Sequence, residues 1–425
     1  MNKLIPLGAA ALLALPALAQ DQSAVIQQMQ KQIQELQQQV ETLKEGPPRD
    51  KEADDLMGRD FFKAKGLSFG FYGESKYRFP KNGANTFDAH RYVLLPSYQI
   101  ADWLVFNSEV EIEHGGSDEK FEPKRSRFDG EVEIEQFYVD ILIHEHFNVR
   151  SLGIDLVPMG RINLYHEPTL FYSTERPELY REIIPSTWME PSMSVFGKII
   201  EGLDYQFMVS AGLEDSISKS SEPGLTAKDG IREARPRLRR ADENNLAYSG
   251  RLHYSGLPGL DASASFYVTD VKGLSGKSTV FGWDIEALYR VPKTGLELRG
   301  EFAQWRFDKP EVFVANNDAD LKNDIGDEMY GWYVEAAYHL WPKGWRVGRG
   351  SEMDLVPFIR YTEIVTQSGL ANGVAAQTDG STNKEYLTAG LSYFLNANFV
   401  VKGDYRHNLK NSNDDYFQIG VGMFF

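Results

Sequence analysis

Two different periods of apolar residues divide the chain. In the segment 20–45, Ile26, Met29, Ile33, Leu36, Val40 and Leu43 recur at alternating steps of three and four, and Gln, Glu and Lys fill most other positions. That spacing is a heptad seam and predicts a short coiled-coil helix. β-Branched residues at one seam position with Met or Leu at the other favour two strands, while a lone amphipathic helix on another surface is the alternative. Gly46, Pro47 and Pro48 stop the helix, and 46–66 reads as a charged linker. From residue 67 the period becomes two. Along the last strand Phe417, Ile419, Val421 and Met423 alternate with Tyr416, Gln418, Gly420 and Gly422. In the strand before it, Phe399, Val401 and Tyr405 alternate with Lys402, Asp404 and Arg406. One face suits hydrocarbon; the other suits a polar lumen, because burying those charges in a dry core would be costly.

Such segments lie near 67–78, 90–99, 103–113, 132–142, 147–156, 193–200, 202–212, 245–255, 260–269, 281–291, 295–307, 330–340, 353–364, 386–395, 398–407 and 415–425. Long or polar connections (79–89, 114–131, 157–192, 213–244, 270–280, 308–329, 365–385, 408–414) alternate with mostly tight ones such as Pro292–Gly295 and Asn396–Ala397. Long loops at one end and tight turns at the other are the mark of a transmembrane barrel. The expected fold is therefore all-β: a 16-stranded antiparallel transmembrane β-barrel over 67–425, preceded by the coiled-coil helix.

The N-terminus sets the expected compartment. Lys3, an apolar stretch from Leu4 to Leu18 and small residues at Ala17 and Ala19 read as a cleaved signal peptide over 1–19. The barrel then belongs in a Gram-negative outer membrane, with the coiled coil in the periplasm and membrane lipid and lipopolysaccharide as neighbours. A mean hydropathy of −0.40 excludes a polytopic helical protein. With 25 Phe, 21 Tyr and 7 Trp the chain is not disordered, and a formal charge of −16 argues against nucleic acid. The absence of cysteine removes disulfides and thiolate metal sites.

The stretch Val157-Pro158-Met159-Gly160-Arg161-Ile162-Asn163-Leu164-Tyr165-His166-Glu167-Pro168, followed by Thr174-Glu175-Arg176-Pro177 and Ile184-Pro185-Ser186-Thr187-Trp188, resembles the third-loop region of the phosphate-selective porin O and P group of outer-membrane porins. Together with the signal, the Gln-rich coiled coil and the aromatic C-terminus, the resemblance covers most of 67–425 and points toward uncharacterised members. It implies a homotrimer, a third loop (157–192) folded inward as a constriction, and arginines lining the pore.

On that basis Arg161, Tyr165, Tyr172, Arg176, Tyr180 and Arg181 are the constriction candidates, the alternative being that Arg161 and Arg176 pair with Glu167 or Glu178 to hold the loop on the wall. Arg232, Arg235, Arg237, Arg239 and Arg240 form a second, anion-binding candidate, since guanidinium forks suit phosphate or carboxylate. The alternative there is a solvated loop whose charges cancel. By strand phase Lys76, Arg78, Lys198, Arg251, Arg290, Arg299, Arg360, Lys402 and Arg406 face the lumen, as do Glu74, Glu109, Glu111, Asp204, Asp261, Asp284, Glu286, Glu297, Glu301, Glu335 and Asp404. A lumen of both signs departs from strict phosphate selectivity and suits general diffusion of small polar solutes.

No G-x-S-x-G, P-loop or H-E-x-x-H motif occurs, so no catalytic residue and no cofactor are expected. His144-Glu145-His146 reads as a solvated turn and the acidic stretch 316–328 as a solvated loop, so no metal site is expected either. The reading is a porin passing small hydrophilic solutes, with phosphate-like anions as candidates. An envelope-tethering or adhesin-type barrel, or an outer-membrane enzyme, remain the alternatives. If the seam is an oligomerisation element, a peptide spanning 20–45 should gain helicity with concentration in circular dichroism. Ile33→Asp with Leu36→Asp should abolish that gain, because charges cannot be buried cheaply in a heptad layer.

Overall fold

The computed structural model describes residues 66–115, 130–214, 225–227, 229–236, 245–273, 275–313, 325–369 and 381–425. The signal (1–19), the coiled-coil segment (20–45) and the linker as far as residue 65 lie outside them, as do Arg237, Arg239, Arg240 and residues 316–324. Sixteen strands form one closed ring. They are β1 (Leu67–Pro80), β2 (Thr86–Ala101), β3 (Leu104–Glu113), β4 (Val132–His144), β5 (Phe147–Leu156), β6 (Met189–Ile200), β7 (Leu203–Ala211) and β8 (Leu246–Tyr254), then β9 (Leu260–Lys272), β10 (Lys277–Arg290), β11 (Leu296–Phe307), β12 (Glu328–Tyr338), β13 (Asp354–Ser368), β14 (Asn383–Asn396), β15 (Phe399–Asn408) and β16 (Tyr416–Phe424). Each pairs antiparallel with its sequence neighbours, and β16 returns to β1 with Phe79 opposite Phe417 and Tyr72 opposite Phe424.

The period-two pattern decides which side chain points where. On β10 Phe281, Ile285 and Tyr289 are exposed outward, while Val280, Asp284, Glu286 and Leu288 are buried inward. The outer wall is apolar around the ring, from Leu252 and Phe266 to Ile359, Leu391 and Ile419. Pro96, opposite Phe69 of β1, does not interrupt β2, and Leu95 and Pro96 carry no assigned partners on β3.

Several expected boundaries move. Thr86–Asp88 pair with Lys76–Arg78 and Lys277–Thr279 with Asp270–Lys272, so the connections 81–85 and 273–276 are tight where longer ones (79–89, 270–280) were expected. Met189–Ser192 pair with Gly153–Leu156, which ends the third loop at residue 188, not 192. At the tight-turn end, the connection 339–353 is long and contains two 3-10 turns, Lys343–Trp345 and Gly348–Ser351. On β4, Gln136 pairs with Glu109 and Ile134 with Val110, leaving Glu135 as the extra residue of a β-bulge.

The interior departs furthest from the expected wet lumen. On β11, Glu297, Arg299 and Glu301 face inward near the tight-turn end, but Ala303, Trp305 and Phe307 follow in the same phase. Tyr267 and Val271 of β9, Val280 of β10, Met329 and Tyr333 of β12 and Ile364 of β13 continue that buried apolar patch. Loop 157–188 lies on it, contributing Val157, Met159, Ile162, Phe171, Leu179, Ile183, Ile184 and Trp188. The barrel thus holds a hydrophobic core inside its ring on the β8–β13 side.

The ring closes on its last residue. Phe71 N–H donates to the Phe425 carbonyl at 3.0 Å, Phe425 N–H donates back at 2.8 Å, and the two rings stack with centroids 5.5 Å apart. Deleting Phe425 should therefore lower the fraction of heat-modifiable, assembled barrel on gels, and wild-type assembly would count against the closure argument.

Candidate functional site: the inward loop and the charged cavity beside it

Loop 157–188 is tied at its stem before it crosses the lumen. Val157 N–H donates to the Trp188 carbonyl at 2.8 Å. The Asn163 amide bridges the same two residues, its nitrogen donating to Val157 O at 2.8 Å and its oxygen accepting from Trp188 N–H at 2.7 Å. Gly160 takes a φ of 72°, and a Cβ there would meet the Tyr180 ring at 2.8 Å, so only glycine fits this corner. Two one-turn helices follow, α1 (Arg161–Leu164) and α2 (Leu179–Glu182). The apolar side of the loop is held by an aromatic cluster in which Trp188 lies 4.8 Å from Tyr267 and 5.9 Å from Trp305 between ring centroids. Trp305 Nε1 also donates to the Ile183 carbonyl at 2.7 Å, and any side chain at Gly282 would run into its indole.

Elsewhere the loop meets the wall through reciprocal charges. Its acids take wall cations: Glu175 lies 2.8 Å from Lys76 and 2.5 Å from Arg78, Glu178 lies 3.5 Å from Arg360, and Glu182 lies 2.5 Å from Lys384. Its donors take wall acids: Arg161 Nη1 reaches Asp261 at 2.8 Å, its backbone N–H reaches Glu286 at 2.7 Å, and Thr174 N–H reaches Asp404 at 2.6 Å. Tyr172 donates to Glu297 at 2.9 Å, and Tyr180 donates to Glu301. Burial drives the Glu175 carboxyl up, but Lys76, His90 and Arg78 outweigh it and hold this group well below the usual carboxylate range. Burial and the adjacent Glu301 push the Tyr180 hydroxyl far above its ordinary value. At His166 burial disfavours the charged imidazole, yet Glu109 and Glu135 opposite outweigh it and lift the ring to about 10.

Of the constriction candidates, Tyr172 and Tyr180 are buried and serve as these hydroxyl anchors. Arg161 is paired with the wall through Asp261, not with Glu167, and Tyr165 is exposed with the Arg161 guanidinium 5.5 Å from its ring centre. Arg181 is exposed, while Arg176 keeps Nε and Nη2 buried with no hydrogen-bond partner. In the arginine-rich segment, Arg235 holds the end of the loop by donating to Ser186 O and Thr187 O at 3.3 and 3.2 Å, and Arg232 is exposed. Among the wall candidates, Lys76, Arg251, Arg299, Arg360, Lys402 and Arg406 are largely covered by loop and neighbours, and Arg78 is half exposed. Lys198 and Arg290 sit near the tight turns, paired with Glu201 at 3.0 Å and Glu297 at 2.8 Å. His144 and His146 occupy an exposed turn, as expected.

The loop leaves one side of the lumen open at the long-connection end. There a cavity of about 1740 Å³ is bounded by β1–β4, β14–β16, α2 and the 232–236 segment. Glu111, Glu113, Glu131 and Glu133 line one side; Arg78, Lys384 and Arg406 line another, with Arg176 and Arg181 on the loop between. Of these wall charges, strand phase assigned Glu111, Arg78 and Arg406 to the lumen and left out Glu113, Glu131, Glu133 and Lys384. It missed the apolar patch under the loop, although Ala303, Trp305 and Phe307 in an inward phase were a visible signal.

The barrel fold has known counterparts. OmpF of Salmonella typhi, solved with daunomycin, superposes with a TM-score of 0.56 at 12% identity, over 84% of this chain and 97% of its own. OprB of Pseudomonas putida gives 0.51 at 10% identity, over 88% and 97%. The trimer form of OmpT from Vibrio cholerae gives 0.51 at 10% identity, over 84% and 99%. The barrel has the outer-membrane porin fold. A more similar sequence is an uncharacterized protein of Aquifex aeolicus (strain VF5), 26% identical over 373 residues, covering 85% of this chain and 80% of that protein. No family model matches the chain.

Asn163→Ala should loosen the loop without opening the barrel. It strands the buried Trp188 N–H, which costs roughly 1–3 kcal/mol. Limited proteolysis should then cut within 157–188 while the band stays heat-modifiable; unchanged protection would mean that the apolar side alone holds the stem.

Proposed function

We propose that the protein is a porin of a Gram-negative outer membrane, a passive channel for small hydrophilic solutes narrowed by loop 157–188. The observation that carries this reading is a loop folded across a closed barrel with an apolar outer wall, leaving a charged cavity at its long-connection end. The mechanism is physical: a pore diameter set by the loop, and a field set by acids of β3–β4 facing cations of β1 and β14–β15. Opposed charges of this kind orient polar solutes and select weakly by sign, which fits general diffusion better than strict phosphate selectivity.

Anions interact, in this reading, with Arg176 and Arg181, the loop arginines with donors to spare. The resemblance of 157–188 to the phosphate-selective porin O and P group, and the trimer form of a structurally similar barrel, support a homotrimer. Lipid and lipopolysaccharide surround its apolar wall, and the coiled coil lies in the periplasm.

Planar-bilayer recordings test the proposal. Stepwise conductance is expected; a barrel that inserts without conducting would end the channel reading. Under a salt gradient, Arg176→Ala with Arg181→Ala should shift the reversal potential toward cations. The cation-to-anion permeability ratio should change by at least about threefold, since one unit charge ~6 Å from one permeant ion in a water-like medium is already worth ~0.7 kcal/mol. Replacing Arg237, Arg239 and Arg240 by Ala should move it less, and the effect should fade as salt rises. If neither set moves the potential, the arginines are structural and the anion part fails.

A further inference from the structure

We propose that Glu109, Glu135 and His166, with the Tyr72 hydroxyl beside them, bind one divalent transition-metal ion that fastens loop 157–188 to the barrel wall. The four residues come from β3, the bulge of β4, the loop and β1, and they converge in a closed seam where Glu109 is 2%, Glu135 0%, His166 3% and Tyr72 1% exposed. His166 Nε2 stands 3.5 Å from Glu109 Oε1 and 3.7 Å from Glu135 Oε2. The Tyr72 hydroxyl lies 2.7 Å from that same nitrogen and 2.8 Å from Glu109 Oε1. One ligand atom from each of Glu109, Glu135 and His166 falls within 4.8 Å of the other two.

The decisive group is Glu135. Both of its carboxylate oxygens are buried and neither has a hydrogen-bond partner. Among the other inward acids, Glu74 and Glu111 share Arg91, Glu297 has Arg299 and Glu335 has Arg360, whereas Asp284 also lacks a partner on both oxygens but belongs to no histidine-containing cluster of ligand atoms among the described residues. No Lys or Arg among the described residues makes an ion pair with Glu109 or Glu135. Two adjacent buried carboxylates need two positive charges, and one divalent ion supplies both. The spacing agrees. Two ligands bound ~2.0–2.2 Å from one zinc in a tetrahedron stand roughly 3.3 Å apart, so the two His166–Glu gaps are a few tenths of an ångström from coordination yet too long for good hydrogen bonds, while the Tyr72 hydroxyl stands at hydrogen-bond distance from His166 and Glu109.

The imidazole is also set for this role. His166 Nδ1 faces the Asn163 carbonyl at 3.0 Å. A metal ion would displace the Nε2 proton, leaving the Nδ1 proton on the Asn163 carbonyl, the outer-shell arrangement that orients metal-binding histidines. Imidazole nitrogen with carboxylate and phenol oxygens suits Zn²⁺, Mn²⁺ or Fe²⁺; Ca²⁺ and Mg²⁺ take oxygen alone. The cluster of Asp88, His90 and His114 near the cavity mouth does not share these features. Asp88 lies 3.1 and 2.8 Å from the two Nδ1 atoms, and Arg91 donates to His90 Nε2 at 2.8 Å.

The test uses the full-length protein folded into detergent with Zn²⁺ or Mn²⁺, desalted, and analysed for metal by mass spectrometry. Wild type should retain close to one ion per barrel, and a strong chelator should lower its Tm. Glu135→Gln and His166→Gln, each close in shape, should weaken retention at least 10- to 100-fold, the loss already seen when only an outer-shell partner is removed, and their Tm should no longer respond to chelator. Cobalt substitution adds an independent reading, because a nitrogen- and oxygen-bound Co²⁺ in wild type should give a visible band that Glu135→Gln lacks. Wild-type barrel without metal and with a Tm indifferent to chelator would overturn the proposal, leaving a proton on His166 as the counter-charge. Equal metal in wild type and Glu135→Gln would overturn it as well. If either variant fails to assemble, the wild-type metal content and chelator response decide alone.

Discussion

Wherever loop 157–188 covers the inner wall, water is excluded, and each inward charge beneath it must find a counter-charge or donor in the same layer. The loop sequence is written to meet that requirement. Glu175, Glu178 and Glu182 are spaced to meet Lys76 and Arg78, Arg360, and Lys384, whereas Arg161 and the hydroxyls of Tyr172 and Tyr180 answer the acids of β9–β11. A charged lumen and an inward loop are thus one feature. Without the loop, the wall charges would be solvated; without the wall charges, the loop's buried carboxylates would have no place to go.

Charge alone would leave the loop only loosely placed, because ion pairs contribute little net stability once desolvation is counted. The apolar patch on the opposite wall supplies the rest. Trp188, Tyr267 and Trp305 interlock, and Leu179, Ile183 and Ile184 fill the space between α2 and β11–β13. This one-sided anchoring explains the position of the cavity. The loop is drawn toward β8–β13, so the open volume remains against β1–β4 and β14–β16, where the wall is charged. In the proposed channel, packing on one side therefore determines where solutes pass on the other.

The β4 bulge shows how a single residue redirects this chemistry. An unbroken strand would alternate through Glu133 and Glu135 and send Phe137 inward; the bulge instead keeps Phe137 outside and gathers Glu135 and Gln136 around Glu109 and His166. The carboxylate held there by backbone geometry faces the His166 imidazole and makes no ion pair with any Lys or Arg of the described residues.

The sequence by itself determined the ring: period-two alternation in Phe399–Arg406 or Phe281–Arg290 marks inside from outside because adjacent side chains of a strand must face opposite ways. It also located the third loop and the inward charges of β9–β13, but not Arg91, Glu135, Asp140 or Asp155. Connection lengths were less legible, since hairpin pairing of Thr86–Asp88 and Lys277–Thr279 continues past the apolar residues that announce a strand. The tertiary structure alone decided which charges meet, as Arg161 with Asp261 or Arg360 with Glu178, because these pairs span the lumen between residues far apart in the chain. It alone placed Glu135 against His166: the apolar phase does shift between Ile134 and Phe137, but which residue bulges and what it meets depend on the register of β4 on β3 and on where the loop folds. And it alone turned the polar lumen into a half-apolar interior, because whether Ala303, Trp305 and Phe307 face water or a packed loop depends on where the loop folds.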